Sequence, residues 1–166
     1  MILHIAKGDA DAFGKLYLAM KSSIYVFSYS ICSNWDIAQD VLQETFIKIR
    51  INAYKFTNYN AMAWIFTIVK NLTLNMIRSG KYYASDDISE YNNLSDNFCT
   101  EEMVENRMLI KEALSHLNDT ERQIVVLHVL SGMKHTEIAA LFSKPYGTVL
   151  WTYSSAMKKL KRFLSK

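Results

Sequence analysis

Three sets of residues carry side chains at spacings that could act on a partner. On a helix Asp40, Gln43 and Glu44 share one outer face, with Ile47 as an apolar neighbour. Thr67, Lys70, Asn71 and Arg78 form a second strip of hydroxyl, amide and cationic groups, able to meet the backbone and base edges of an unpaired nucleic-acid strand. The third set is Lys144, Tyr146, Thr148, Trp151, Thr152, Ser155 and Lys158, which leads into the basic run Lys158, Lys159, Lys161 and Arg162. Catalytic signatures are missing: there is no Gly-rich phosphate loop and no His-Glu-x-x-His. His4, His116, His128 and His135 form no i, i+4 ligand pair, so neither a metal nor a cofactor is expected and the chain does not read as an enzyme. His128 lies in an apolar helix and reads as a core histidine.

The charge is distributed in blocks. Residues 1–80 carry eight Lys/Arg against five Asp/Glu, residues 81–105 one against seven, and residues 106–166 ten against four. Clustered Lys/Arg release counterions from phosphate backbones, so the basic blocks fit nucleic-acid binding, the C-terminal one most directly. An acidic stretch separates them.

The elements that must position these groups are helical. Only five glycines and one proline occur among 166 residues, too few for hairpins and barrels, and half of the residues are apolar, which excludes wholesale disorder. Helical spacing of apolar residues from Ala10 to Cys32 predicts one or two helices. Ser33 with Asp36 resembles a capping box, ahead of an amphipathic helix whose inner face is Ala38, Val41, Leu42, Thr45, Phe46 and Ile49. Another helix is expected over about 60–79, burying Ala61, Trp64, Ile65, Ile68, Leu72 and Met76 and stopped by Gly80. Periodicity then gives way to Ser, Asp, Asn and Tyr, the composition of a linker. After it, Thr100 can cap a helix carrying Val104, Met108, Ile110 and Leu114. Asn118 and Glu121 make a capping box for a helix ending near Gly132. A short helix over His135–Phe142 and a last one over Tyr146–Leu164, with Pro145 in its first turn, complete the chain. Ala139 and Val149, ten positions apart, suit the small crossing residue and the buried β-branched residue of a helix-turn-helix. The fold class is therefore all-α: two small helical domains, 1–80 and 100–166, joined by a flexible acidic linker, 81–99, the second domain a helix-turn-helix.

Cys32 and Cys99 make no disulfide framework, and no apolar run reaches the roughly 18 residues of a membrane span. The short, polar stretch Met1–Asp9 makes no signal peptide. A cytoplasmic protein without membrane insertion is expected.

Asp36-Ile-Ala-Gln-Asp40-Val-Leu-Gln43-Glu44-Thr-Phe46, then Ala63-Trp64-Ile65 through Asn71 to Arg78, then Leu114 to Leu160 with Glu137-Ile-Ala139 and Pro145-Tyr-Gly147-Thr148-Val149, together resemble a bacterial RNA polymerase sigma factor of the compact extracytoplasmic-function (ECF) type. The resemblance covers roughly residues 9–80 and 100–164. It implies that the first domain grips the polymerase clamp helices through Asp40, Gln43, Glu44 and Ile47. It implies also that Thr67, Lys70, Asn71 and Arg78 contact the opened minus-ten element, while the helix-turn-helix reads the minus-thirty-five element and touches the polymerase flap. The partners implied are core RNA polymerase, promoter DNA and an anti-sigma factor.

Some positions depart from the family pattern. The stretch Tyr54–Asn60 is short and lacks the usual basic residue and glycine before the tryptophan. Lys134 and Ser143 stand where the family has a Ser cap and a turn glycine, and Leu150, Trp151, Thr152 and Ser155 occupy places usually held by Lys, Ser and Arg. Such a helix cannot read guanine through Arg, and is expected to prefer A·T pairs weakly through thymine methyls. Two other functions use fewer of these motifs. A helix-turn-helix regulator acting without polymerase leaves residues 40–46 unused, and a degenerate sigma relative acting through protein contacts would turn Leu150 and Trp151 to a partner.

Overall fold

The computed structural model describes residues 1–57, 60–80 and 106–165. Its helices are α1 (Ile2–Ala6), α2 (Ala10–Cys32), α3 (Trp35–Asn52), α4 (Ala61–Arg78), α5 (Arg107–Ser115), α6 (Asp119–Val129), α7 (His135–Leu141) and α8 (Tyr146–Leu164), with one 3₁₀ turn at Ala53–Lys55. No strand occurs among the described residues, so the fold is all-α. The linker expected at 81–99 and the expected cap Thr100 and apolar Val104 lie outside the described residues.

Residues 10–32 form one helix. Asp9 starts it by accepting from the backbone N–H of Ala12 at 2.9 Å. It ends at Ser33, whose φ of 52° is left-handed, and the next helix is capped by Asn34, whose side chain accepts from Asp36 and Ile37. The cap expected at Ser33 is thus one residue late in the chain: Ser33 serves the end of α2, and only Asn34 is extended as an N-cap must be.

α2, α3 and α4 pack against one another as a first unit; α6, α7 and α8 form a second. The expected inner face of α3 is buried in full. In α4 the buried residues are Ile65, Phe66, Val69, Leu72 and Thr73, whereas Ala61, Trp64, Ile68 and Met76 are only half-buried. The reason is that α4 sits against both α2 and α3, so its buried arc widens toward Phe66, which meets Phe27 edge-on at 5.2 Å. In α5, Leu114 is buried but Met108 is exposed.

The two units are joined. α2 packs on α6 and α4 on α7, so the buried residues form one core. Residues Ser23 to Ser30 of α2 are consecutively buried, the mark of a helix covered on every side. Ser23, Ser28 and Ser30 turn their hydroxyls back onto carbonyls of their own helix, which satisfies them inside the core.

Ala139 and Val149 are buried where α7 and α8 cross. The turn between them is a Schellman motif: the N–H of Lys144 donates to Ala139 and that of Ser143 to Ala140. Ser143 holds the left-handed position of that motif at φ 50°, normally a glycine's. Ser143→Gly is expected to stabilise the chain by about 1 kcal/mol, because a Cβ in this region is strained. A higher urea midpoint is the measure, and an unchanged or lower one would show that no strain is stored there.

Candidate functional site

α3 presents an outer stripe. Asp40, Gln43 and Glu44 are half-buried, and Glu44 pairs with Lys48 at 3.6 Å, one helical turn on. The stripe becomes apolar toward its C-terminus: Ile47, Ile51 and Tyr54 are 51%, 61% and 67% exposed, although the opposite face of the helix is sealed. Ile51 and Tyr54 were not among the expected contact residues; their signal was the i, i+3 and i+7 continuation from Glu44 through Ile47 to Ile51.

On α4, Thr67, Asn71 and Arg78 are exposed along one strip. The Thr67 hydroxyl donates to the carbonyl of Ala63 at 2.7 Å. Lys70 is half-buried, with its ammonium 5.0 Å from the centre of the Phe142 ring at the end of α7. Trp64 packs against Phe56 at 5.3 Å, as an apolar-face residue should.

The third set divides. Lys144, Tyr146, Thr148 and Trp151 are exposed, and Lys144 and Trp151 line a shallow cleft of about 600 Å³ closed on its other side by Asn118–Glu121. Thr152 is buried at the bottom of this cleft and donates to the carbonyl of Thr148 at 2.7 Å, so the expectation that it reaches DNA is corrected: a hydroxyl on the side of α8 that packs toward α6 returns to its own helix. Ser155 is half-buried with its hydroxyl 3.4 Å from Glu121, which draws it away from a DNA-facing role as well. Lys158 is exposed and rims a different feature, an apolar groove of about 850 Å³ between α6 and α8 that includes Val129, Leu150, Met157 and Leu164. Leu150 and Trp151, adjacent in sequence, therefore line different surfaces.

Glu121 braces α8 from beneath. Its carboxylate accepts from the backbone N–H of Asn118, while the Asn118 side chain accepts from the N–H of Glu121, the expected capping box. The same carboxylate takes the Lys159 ammonium at 2.8 Å on both oxygens. Burial pushes the Glu121 acid up, but Lys159 and the Asn118 N–H outweigh it and hold it below the usual carboxylate range.

At the other edge of the helix-turn-helix, the rings of His128 and His135 stack with centres 4.1 Å apart, and each meets Tyr153 edge-on at 4.8 Å. His128 Nδ1 lies 2.8 Å from the carbonyl of Met133, which fixes the ring proton on that nitrogen. His128 is half-buried at a three-helix junction rather than in the core proper. Burial, and secondarily His128, lower the basicity of His135.

A family model for Sigma-70 region 2 matches residues 16–82, and one for Sigma-70, region 4, matches residues 107–160. Over 161 residues the chain is 30% identical to the ECF RNA polymerase sigma factor SigW of Bacillus subtilis (strain 168), covering 89% of this chain and 86% of that protein. The chain belongs to the ECF sigma factors.

The fold of this sigma factor is shared with two solved structures. One is CnrH in complex with the cytosolic domain of CnrY, with a TM-score of 0.67 at 22% identity, covering 99% of this chain and 94% of that one. The other is the sigma factor RpoE in complex with the anti-sigma factor NepR from Bartonella quintana, with a TM-score of 0.65 at 24% identity, covering 93% and 97%. Among the described residues, no helix of this sigma factor is long and apolar enough to cross a membrane, and no group of three or more His, Cys, Asp or Glu side chains could hold a metal ion. At the position where the family pattern places a Ser cap, Lys134 offers its backbone N–H to Glu137 at 2.7 Å, so the acid of α7 makes the cap from the inside.

Proposed function

We propose that this ECF sigma factor, which directs transcription initiation, divides the work between its two units at the surfaces described above. Residues 1–80 dock on core RNA polymerase through Asp40, Gln43, Glu44, Ile47, Ile51 and Tyr54 and hold the minus-ten strand through Thr67, Lys70, Asn71 and Arg78. Residues 100–166 hold the minus-thirty-five element through Lys144, Tyr146, Thr148 and Trp151, with Lys158 adding phosphate attraction from the rim of the neighbouring groove, and residues 81–99 connect the two.

The observation that carries the reading is the α3 stripe, where carboxylates grade into three exposed apolar side chains beside a closed core. A charged rim beside a desolvatable apolar centre is how a protein docks on another protein. Such a protein works in the cytoplasm, where the polymerase is. The apolar groove holding Leu150 supports a protein partner on the back of α8, of the anti-sigma kind found with RpoE of Bartonella quintana.

On the strand side, the side-chain amide of Asn71 is exposed beside Lys70 and can reach base edges that are accessible only after the duplex opens. Asn71→Ala is expected to lower permanganate reactivity of melted thymines at a cognate promoter about tenfold, the scale of one lost hydrogen-bond pair, with polymerase binding unchanged. Normal open complexes in Asn71→Ala and in Arg78→Ala would return the strip to the role of a solvated face.

A further inference from the structure

The cleft between α6 and α8 carries less net charge than the basic end of the chain implies. Two cations line it, Lys144 and Lys159, and so do two acids, Asp119 and Glu121. Asp119 is exposed and lies 3.6 Å from Arg122 on its own helix. Glu121 is only 3% exposed, and both of its oxygens take the Lys159 ammonium at 2.8 Å. The other polar side chains of α8 on this wall are turned inward as well, Thr152 to its own helix and Ser155 to the same carboxylate. Among the described residues, no carboxylate pairs with Lys144, which is exposed.

A carboxylate that accepts on both oxygens engages an ammonium as a phosphate group of DNA would, with charge-assisted hydrogen bonds. Burial decides which of the two anions keeps Lys159. Were the ammonium to leave, Glu121 would retain the Asn118 N–H and the Ser155 hydroxyl at 3.4 Å, and a buried charge stripped of its partner is costly. A phosphate on the surface of a duplex falls back on water and counterions instead. The side chain of Lys159 is itself 43% exposed, so nothing traps the ammonium once the carboxylate is gone.

We propose that Glu121 acts as an internal phosphate mimic that withholds Lys159 from DNA, so that the duplex finds Lys144 as the one available cation in this cleft. The proposal rests on the reading of this surface as the one that holds the minus-thirty-five element. The run Lys158, Lys159, Lys161 and Arg162 thus delivers one cation fewer to DNA than its composition suggests. Glu121 thereby sets the strength of promoter capture without touching a base. Phosphate contacts carry no sequence information, so a hold with one contact fewer leaves a larger share of the binding to the side chains that reach base edges.

Attraction to phosphate is independent of sequence, so a fluorescein-labelled duplex of random sequence is a sufficient probe, read by anisotropy with the intact chain over a series of salt concentrations. Glu121→Gln removes the charge and keeps an acceptor for the Asn118 N–H. It is expected to steepen the slope of log affinity against log salt by about 0.9, the increment of one phosphate contact, and to tighten binding about eightfold at about 0.1 M salt relative to about 1 M. Adding Lys159→Met should return both quantities to their wild-type values. The double variant shares any loosening of the α6 cap, so it separates a freed cation from a disturbed fold. Lys144→Ala should flatten the slope by about 0.9. Equal slopes in the wild type and Glu121→Gln, with Lys144→Ala flattened, would overturn the withholding and leave the DNA-facing assignment standing. An unchanged slope in Lys144→Ala as well would take the cleft away from DNA, and the reading of this surface with it. A steeper slope that survives in the double variant would show that Lys159 is not the cation released, and would overturn the proposal.

Discussion

Asp40→Arg combined with Glu44→Arg is expected to abolish co-purification with core RNA polymerase while leaving helicity unchanged. Both residues stand on the outer stripe of α3, opposite a face sealed by Val41, Leu42, Phe46 and Ile49. The substitutions therefore do not reach the core, and the weak Glu44–Lys48 pair is among the surface contacts they give up. In an interface each charge is partly desolvated. Loss of one member of a charge pair there commonly costs about 2–5 kcal/mol, and reversal adds repulsion, so two reversals carry the affinity down by at least about a thousandfold. Ile51→Ser, at the apolar end, should weaken binding by about tenfold, the scale of one truncated aliphatic anchor. Undiminished polymerase capture by the double reversal would remove α3 from the interface.

Lys159→Met is expected to destabilise the folded chain by about 3 kcal/mol, and Glu121→Gln by only about 1 kcal/mol, in urea unfolding at neutral pH. The asymmetry follows from where each charge sits. Glu121 is 3% exposed, so removing Lys159 leaves a buried carboxylate with only the Asn118 N–H and the distant Ser155 hydroxyl. The side chain of Lys159 is 43% exposed; without Glu121 its ammonium returns to water, and a glutamine still accepts from Asn118. The pH dependence has a definite sign. The Glu121 acid is held low in the folded chain, so its contribution is complete above the unfolded value of about 4.3 and is lost as pH falls through the lower folded value. The wild type and Glu121→Gln should converge in that acid range. In Lys159→Met, burial is opposed only weakly, the acid rises, and the defect should shrink as pH falls. Equal defects for the two variants at neutral pH would show that the pair behaves as an exposed one.

Where one helix face met one neighbour, periodicity was enough. The inner face of α3 and the Asn118–Glu121 capping box are where the residue pattern places them, because spacing and cap chemistry are local properties. The shift of the α4 face toward Phe66 and Val69 has a different origin: a helix lying in the corner of two others is buried over a wider arc than one stripe shows. Ser33 and Asn34 are both able to cap, and what decides between them is the left-handed backbone demanded at the end of α2. On α8, Thr152 and Ser155 read as outward because α8 is amphipathic with a basic end. Glu121, from a different helix, accepts from Ser155, and Thr152 turns back to Thr148. The same holds for Trp35 and Arg107, which meet across a long separation that no local pattern encodes. Ile51 and Tyr54 were within reach of the pattern that identified Asp40 and Glu44, had the stripe been continued past Ile47.

The continuous burial of α2 from Ser23 to Ser30 sets an order of assembly. Its contacts with α3 form between neighbours in the chain, whereas its contact with α6 closes a loop that spans 89 residues from Ser33 to Arg122. Loop closure is repaid only when both ends are already structured, so the long-range contact comes last. During synthesis the first three long helices emerge and pair before α6 leaves the ribosome. Until then the side of α2 awaiting α6 stays wet, and Tyr25 and Trp35 lack the Arg107 guanidinium that covers their rings. Trp35 is therefore a built-in optical reporter for the final docking step, whereas Trp64, packed on Phe56 within the first unit, reports an earlier one.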